Sequence, residues 1–456
     1  MVPLRRLVST DLETAGTASR SIAPLVLALT VALGAFALGY GQLERIETGT
    51  EAEHTTLAEA RAMAAGDQRF GIVEYTHFPN GPLYIAATLT RAGLSERSMR
   101  LVPLGLAAAA FGFMAFALLA WAPGVVSRAW IVTASAVLLL QPAAILWMGA
   151  LHEHSYAFAM VLTLVATSIR VGPSTSWALF PLGFLAGWIG YDWLPAQAMT
   201  VLAIRWLVLA RDEETPLLHA AAGAALDAMK FASGVALAVL AHLVQLGFYF
   251  DSFEAASRDL LGSAAARANA GGASQINPEY GRFIAADTAR LEHAYSQRAD
   301  LAPIFGEGFD FEDPPRLRLS WLLYRQFGLP RWSHAGLLAL ATALGVALSG
   351  LRLFRERARR GALAGAVTLL FAVAAPMVWV FLMPQHALSH MHMLPRHGLV
   401  PFAVAFAIPV LIVAREGGHP LRREFDARAF AQTAALYALC PGLLVATVLH
   451  ALIALG

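Results

Sequence analysis

The chain has 456 residues, of which 57% are hydrophobic and 14% charged, and its mean hydropathy is +0.57. An ordinary soluble globule, in which about a quarter of the residues are charged, is excluded. A formal net charge of +2 gives no footprint for nucleic acid, and the single cysteine, Cys440, excludes an intrachain disulfide.

Runs able to cross about 30 Å of hydrocarbon, which takes roughly 20 apolar residues, recur from end to end. Taken in chain order, they predict helices near 22–42, 101–121, 127–148, 154–169, 175–190, 193–210, 230–250, 333–350, 362–383, 398–414 and 430–455. The expected fold is all-α: a polytopic membrane protein with about eleven transmembrane helices in a single transmembrane domain spanning 1–456. "AFA" at 35–37 resembles a signal-peptidase site, but the apolar run continues to Tyr40 and reads as a retained span.

Basic residues fall in alternate connections, which orients the chain. Arg5, Arg6 and Arg20 precede the first helix. Arg170, then Arg211 and Lys230, then Arg352, Arg355, Arg357, Arg359 and Arg360, and finally Arg415, Arg422, Arg423 and Arg428 occupy every second connection. These are read as cytoplasmic, as is the N-terminus. The opposite face holds 43–100, 149–153, Tyr191 with Asp192, 251–332 and 384–397, where most of the histidines lie. The Ala, Arg and Gly content predicts a bacterial inner membrane.

The first outer loop, 43–100, carries short surface helices. In "EAEHTTLAEARAMAAGD", Leu57, Ala60 and Met63 or Ala64 recur at helical spacing, so this stretch predicts an amphipathic helix lying on the membrane surface. "FPNGPLYIAATLTRAGL" is apolar but short, and Pro79, Gly81 and Pro82 break its start; it reads as re-entrant or interfacial. The larger outer loop, 251–332, is polar and mixed in charge and is expected to cap the outer surface.

The order of motifs in the first 200 residues is Glu51/Glu53, Gly66-Asp67, "NGPLY" at 80–84, "ERSMRL" at 96–101 and "LHEHSYAFAM" at 151–160. This order resembles the GT-C superfamily of membrane glycosyltransferases, in particular aminoarabinose transferases and protein O-mannosyltransferases. The resemblance departs at the family's Asp-Glu pair, whose place is taken by Glu53-His54 with Glu51 close by. It departs again at the mid-chain lysine, in whose neighbourhood stands "GYDWLP" with Asp192. The sugar is therefore not carried over. The resemblance implies an inverting transfer from a polyprenyl-phosphate-linked sugar donor to a lipid, glycan or protein acceptor on the extracytoplasmic side, with membrane lipids as surroundings and no nucleic acid.

The chemistry sets its own demands. A hydroxyl attacking an anomeric carbon needs a carboxylate to take its proton, and the departing phosphate needs cationic donors. Glu53, with Glu51 in reserve, is the expected base. In "QHALSHMHMLPRH" at 385–397, Arg396 supplies the planar paired donors suited to phosphate, joined by His390, His392 and His397. His54, Tyr75, His77, His152, Glu153, His154, Asp192 and His386 are the expected substrate-binding residues. Asp192 is a charge between two apolar helices, a placement usually tied to function. His242, inside an apolar run, reads as a hydrogen-bonded packing residue.

No cofactor is required by this scheme, and a divalent metal is the sharpest competing chemistry. His390-x-His392 and His152-x-His154 with nearby carboxylates offer nitrogen and oxygen ligands, although two histidines one residue apart do not share a helix face. The alternative readings are therefore a metal-dependent membrane enzyme or a membrane transporter. Transport fits less well, because the ionisable groups gather at the outer ends and no internal repeat is seen.

Overall fold

A chain in hydrocarbon must satisfy its backbone N–H and C=O groups internally, so apolar runs become helices. The computed structural model describes residues 23–43, 51–66, 79, 81–121, 125–139, 148–210, 215–267, 359–383 and 399–413; its regular structure is helical, with no strand among the described residues. In chain order the helices are α1 (Ala23–Tyr40), α2 (Glu51–Ala65), α3 (Gly81–Arg91), α4 (Glu96–Trp121), α5 (Val125–Leu139), α6 (Glu153–Arg170), α7 (Leu179–Ile189), α8 (Leu194–Ala210), α9 (Leu217–Tyr249), α10 (Phe253–Arg267), α11 (Arg359–Leu382) and α12 (Leu399–Val413). A 3-10 turn, Ser176–Ala178, leads into α7.

By length and composition α1, α4 and α9 can each cross a bilayer. Leu25, Leu29 and Leu33 on α1 and Leu237 and Leu240 on α9 remain exposed, as a lipid-facing surface requires and a water-facing one does not favour. The chain is an integral membrane protein.

Every expected apolar run that falls on described residues is a helix. Two details differ. Lys230, expected in a cytoplasmic connection, lies inside α9, whose 33 residues extend about 50 Å at 1.5 Å per residue. The loop expected at 251–332 opens with a helix, α10, whose Ala256 packs with Leu246 of α9. The segment read as re-entrant or interfacial holds the 11-residue helix α3, shorter than a full span. The helices expected near 333–350 and 430–455 lie outside the described residues.

At the centre stands α6, largely apolar beyond its polar first turn and buried along nearly its whole length, packed by α4, α7, α8 and α12. Phe158 meets Phe111 of α4 edge to face at 5.7 Å, and Gln197 of α8 donates to Ala157 O of α6 at 3.3 Å. Small residues set the closest contacts, because between helices in lipid it is backbone approach that supplies packing. Gly183 and Gly187 recur four apart on α7 and face Phe231, Val235 and Ala238 of α9; Gly234 of α9 faces Phe180 and Phe184 of α7. A Cβ on Gly183 would stand 2.8 Å from Phe231 C, and one on Gly234 would stand 2.7 Å from Phe184 N. Gly112 of α4 receives Ala28 and Ala32 of α1 in the same manner.

The pair α2 and α3 covers one end of the bundle. Ala60 and Met63 of α2 pack on Leu83, Ala86 and Ala87 of α3, while Leu57 packs with Met99 and Leu151. The amphipathic spacing seen in the sequence is therefore the face that packs on protein. Arg91 of α3 closes α2 by donating to Met63 O at 2.6 Å and Ala64 O at 3.2 Å, satisfying carbonyls that a helix C-terminus leaves free. Ser95 caps α4 by accepting from Ser98 N at 3.3 Å.

Candidate functional site

The site begins where the chain enters α6. His152 is the residue before the helix, with extended backbone (φ −66°, ψ 162°), and Glu153 opens the first turn, where a carboxylate is favoured by the helix dipole. Ser155 Oγ donates to Met148 O at 2.6 Å and fixes the approach. Because His152 is not in helical register, the face rule that separates two histidines one residue apart does not apply. The His152 and His154 rings lie 4.5 Å apart, and His154 Nδ1 is 3.6 Å from Glu153 Oε1. Ligating atoms of His152, Glu153 and His154 all lie within 4.8 Å of one another. Glu153 is 6% exposed and His154 1%.

The turn between α7 and α8 meets this group. Glu153 Oε2 rests against Gly190, whose absent side chain makes the space: a Cβ there would stand 2.9 Å from Glu153 Cδ and nearer still to Oε2. Gly190 φ is 168°, extended backbone open to any residue, so it is space and not conformation that calls for glycine. Two residues on, Asp192 is buried, and Leu194 N donates to Tyr191 O at 3.2 Å to close the turn. The structure thus brings Glu153, His152 and His154 together and sets the Asp192 turn beside them.

An aromatic and amide wall continues from that turn. Tyr191 meets His242 of α9 edge to face at 6.4 Å, and His242 Nδ1 is 3.4 Å from Gln245 Oε1. Gln245 Nε2 donates to Tyr84 OH of α3, and Tyr84 stacks on Trp188 of α7 at 6.3 Å. Burial pushes the Tyr84 phenol above its usual range, opposed in part by the Gln245 hydrogen bond. His242 is the hydrogen-bonded packing residue that its apolar surroundings predict. Trp188, Tyr191 and Gln245 were not legible as site neighbours, since only the meeting of α3, α7 and α9 gathers them.

Glu51, Glu53 and His54 lie in the first turn of α2, with Glu53 one turn before Leu57, which packs with Leu151 next to His152. The side chains of Glu51, Glu53 and His54 are outside the description, as are Tyr75, His77, His386, His390, His392, Arg396 and His397 altogether.

A second polar group, at the C-terminal end of α6, went unread in the sequence. Arg205 Nε donates to Asp227 Oδ2 at 2.7 Å, and Lys230 Nζ donates to Asp227 Oδ1 at 2.8 Å and to Ser176 Oγ at 2.5 Å. Arg205 also caps α6, donating to Ser168 O at 2.9 Å and Val171 O at 2.8 Å. The available signal was an arginine inside an apolar helix, which demands a partner. This network ties α6, α8, α9 and the 3-10 turn together at the end away from Glu153.

Comparison of the chain with protein-family models, with curated proteins and with solved structures finds no match.

Proposed function

We propose that the chain is a GT-C-type glycosyltransferase that moves a sugar from a polyprenyl phosphate to a hydroxyl acceptor on the extracytoplasmic side of the membrane. The observation that carries the reading is the gathering of Glu153, His152 and His154 beside the Asp192 turn, at the end of the bundle reached by α2 through Leu57 and Leu151. The buried groups Glu153, Asp192 and His154 with the half-buried His152, and the rings of Tyr84, Trp188 and Tyr191 nearby, suit a sugar, which offers hydroxyls to polar groups and C–H faces to aromatic ones.

In the proposed reaction the acceptor oxygen attacks the anomeric carbon as its proton passes to Glu53, or to Glu51 in its place. The bond from that carbon to the phosphate oxygen breaks with inversion. The electron pair leaves on the lipid phosphate, which Arg396 with His390, His392 and His397 receives. Glu153, Asp192, His152 and His154, with His54, Tyr75, His77 and His386, orient sugar and acceptor.

The test is binding and turnover by the purified protein with a panel of labelled polyprenyl-phosphate sugars. Release of polyprenyl phosphate is expected, falling by roughly 10²-fold or more in Glu53→Gln with donor binding retained. Failure of the wild-type protein to bind polyprenyl phosphate at all overturns the reading.

A further inference from the structure

We infer that His152, Glu153 and His154 form a binding site for a divalent transition-metal ion, zinc by its donor set, at the outer end of α6. Two imidazoles and one carboxylate are the nitrogen and oxygen donors that zinc takes in sites with three protein ligands and an open fourth position. Donors at about 2.0–2.1 Å in a tetrahedron stand about 3.3–3.4 Å apart. Here the three candidate donor atoms lie within 4.8 Å of one another, and the His154–Glu153 separation is already 3.6 Å. Side-chain rotation of an ångström or so therefore completes the shell.

Three features of the fold favour an ion at this point. The extended backbone at His152 turns its ring toward that of His154, which a continuous helix would forbid. The missing side chain of Gly190 leaves the room in which the Glu153 carboxylate stands buried next to the two rings. The Asp192 turn adds a second buried carboxylate to the neighbourhood, so the local charge favours a dication in a place where water screens little. The open position would accept an oxygen ligand, a phosphate or hydroxyl oxygen of a substrate or a water. Zinc binding here does not depend on the sugar-transfer reading, and its test measures binding rather than turnover.

The test uses the full chain in detergent, stripped with a chelator and dialysed against limiting zinc, with metal content measured by mass spectrometry. One zinc per chain is expected, and His154→Ala and His152→Ala should each weaken binding by about 10²-fold or more. Replacing His386, His390, His392 and His397 together by alanine should leave that zinc in place. Cobalt provides a gain of signal that a folding defect cannot imitate. In a Cys440→Ser background, His154→Cys should retain one cobalt and acquire a thiolate-to-cobalt charge-transfer band in the near ultraviolet. The site is overturned if the wild-type chain holds no zinc. It is equally overturned if the four-histidine variant loses the zinc while His152→Ala and His154→Ala keep it, or if His154→Cys binds cobalt without the new band.

Discussion

Gly190→Ala tests the heart of the site without touching its donors. The backbone at Gly190 is extended and accepts alanine, so the substitution acts through its methyl group alone. That methyl meets Glu153, whose Cδ must move from 2.9 Å to an ordinary 3.4 Å or more, with Oε2 displaced further. Overpacking of this kind costs about 1–3 kcal/mol. The cost should fall toward the lower end, because the obstacle is the far end of a side chain rather than backbone. In a Glu153→Ala background the nearest remaining atom is the Cβ of residue 153 at 3.6 Å, an ordinary contact, and the same methyl should cost almost nothing. A double-mutant cycle of unfolding in mixed micelles should therefore return a coupling of about 1–2 kcal/mol between positions 153 and 190. Additive effects, with Gly190→Ala equally costly in both backgrounds, would refute the placement of the Glu153 carboxylate against Gly190 and with it the geometry of the triad.

Gly234→Ala should be more damaging than Gly190→Ala, since its Cβ meets Phe180 and Phe184 backbone in α7 and the helices must part; the check is loss of folded protein on detergent extraction and heating. Asp227→Asn leaves Arg205 and Lys230 sharing a buried site without their carboxylate and should cost about 3–5 kcal/mol in micellar unfolding, whereas replacing Arg205, Asp227 and Lys230 together by apolar residues of similar volume should recover much of the loss. For Tyr84 the folded phenol holds its proton more tightly than the unfolded one, so the associated stability is fully present below the unfolded value of about 10 and is lost as pH rises through the folded value. Unfolding followed across that alkaline window should show a decline that Tyr84→Phe diminishes; identical slopes in the two proteins would remove burial of this phenol from the account.

The sequence alone determined the solvent and the secondary structure. Hydrocarbon forces backbone groups to pair within each segment, so the apolar runs that fall on described residues could only become helices, although α9 begins at Leu217, well before the apolar run read from 230. The spacing of Leu57, Ala60 and Met63 likewise identified α2, because a period of 3.6 is written into residue order. What residue order did not contain was the partner of each face. It gave Glu153 and Gly190 no relation, yet the packing of α6 against the α7–α8 turn puts the carboxylate of one into the space left by the other. It also set His152 and His154 apart by the rule that residues one position removed do not share a helix face; the extended backbone at His152 places the two rings 4.5 Å apart. Arg205 and Asp227 are 22 residues apart in the chain and 2.7 Å apart in space, a pairing that burial makes necessary but that only the antiparallel run of α8 and α9 could supply.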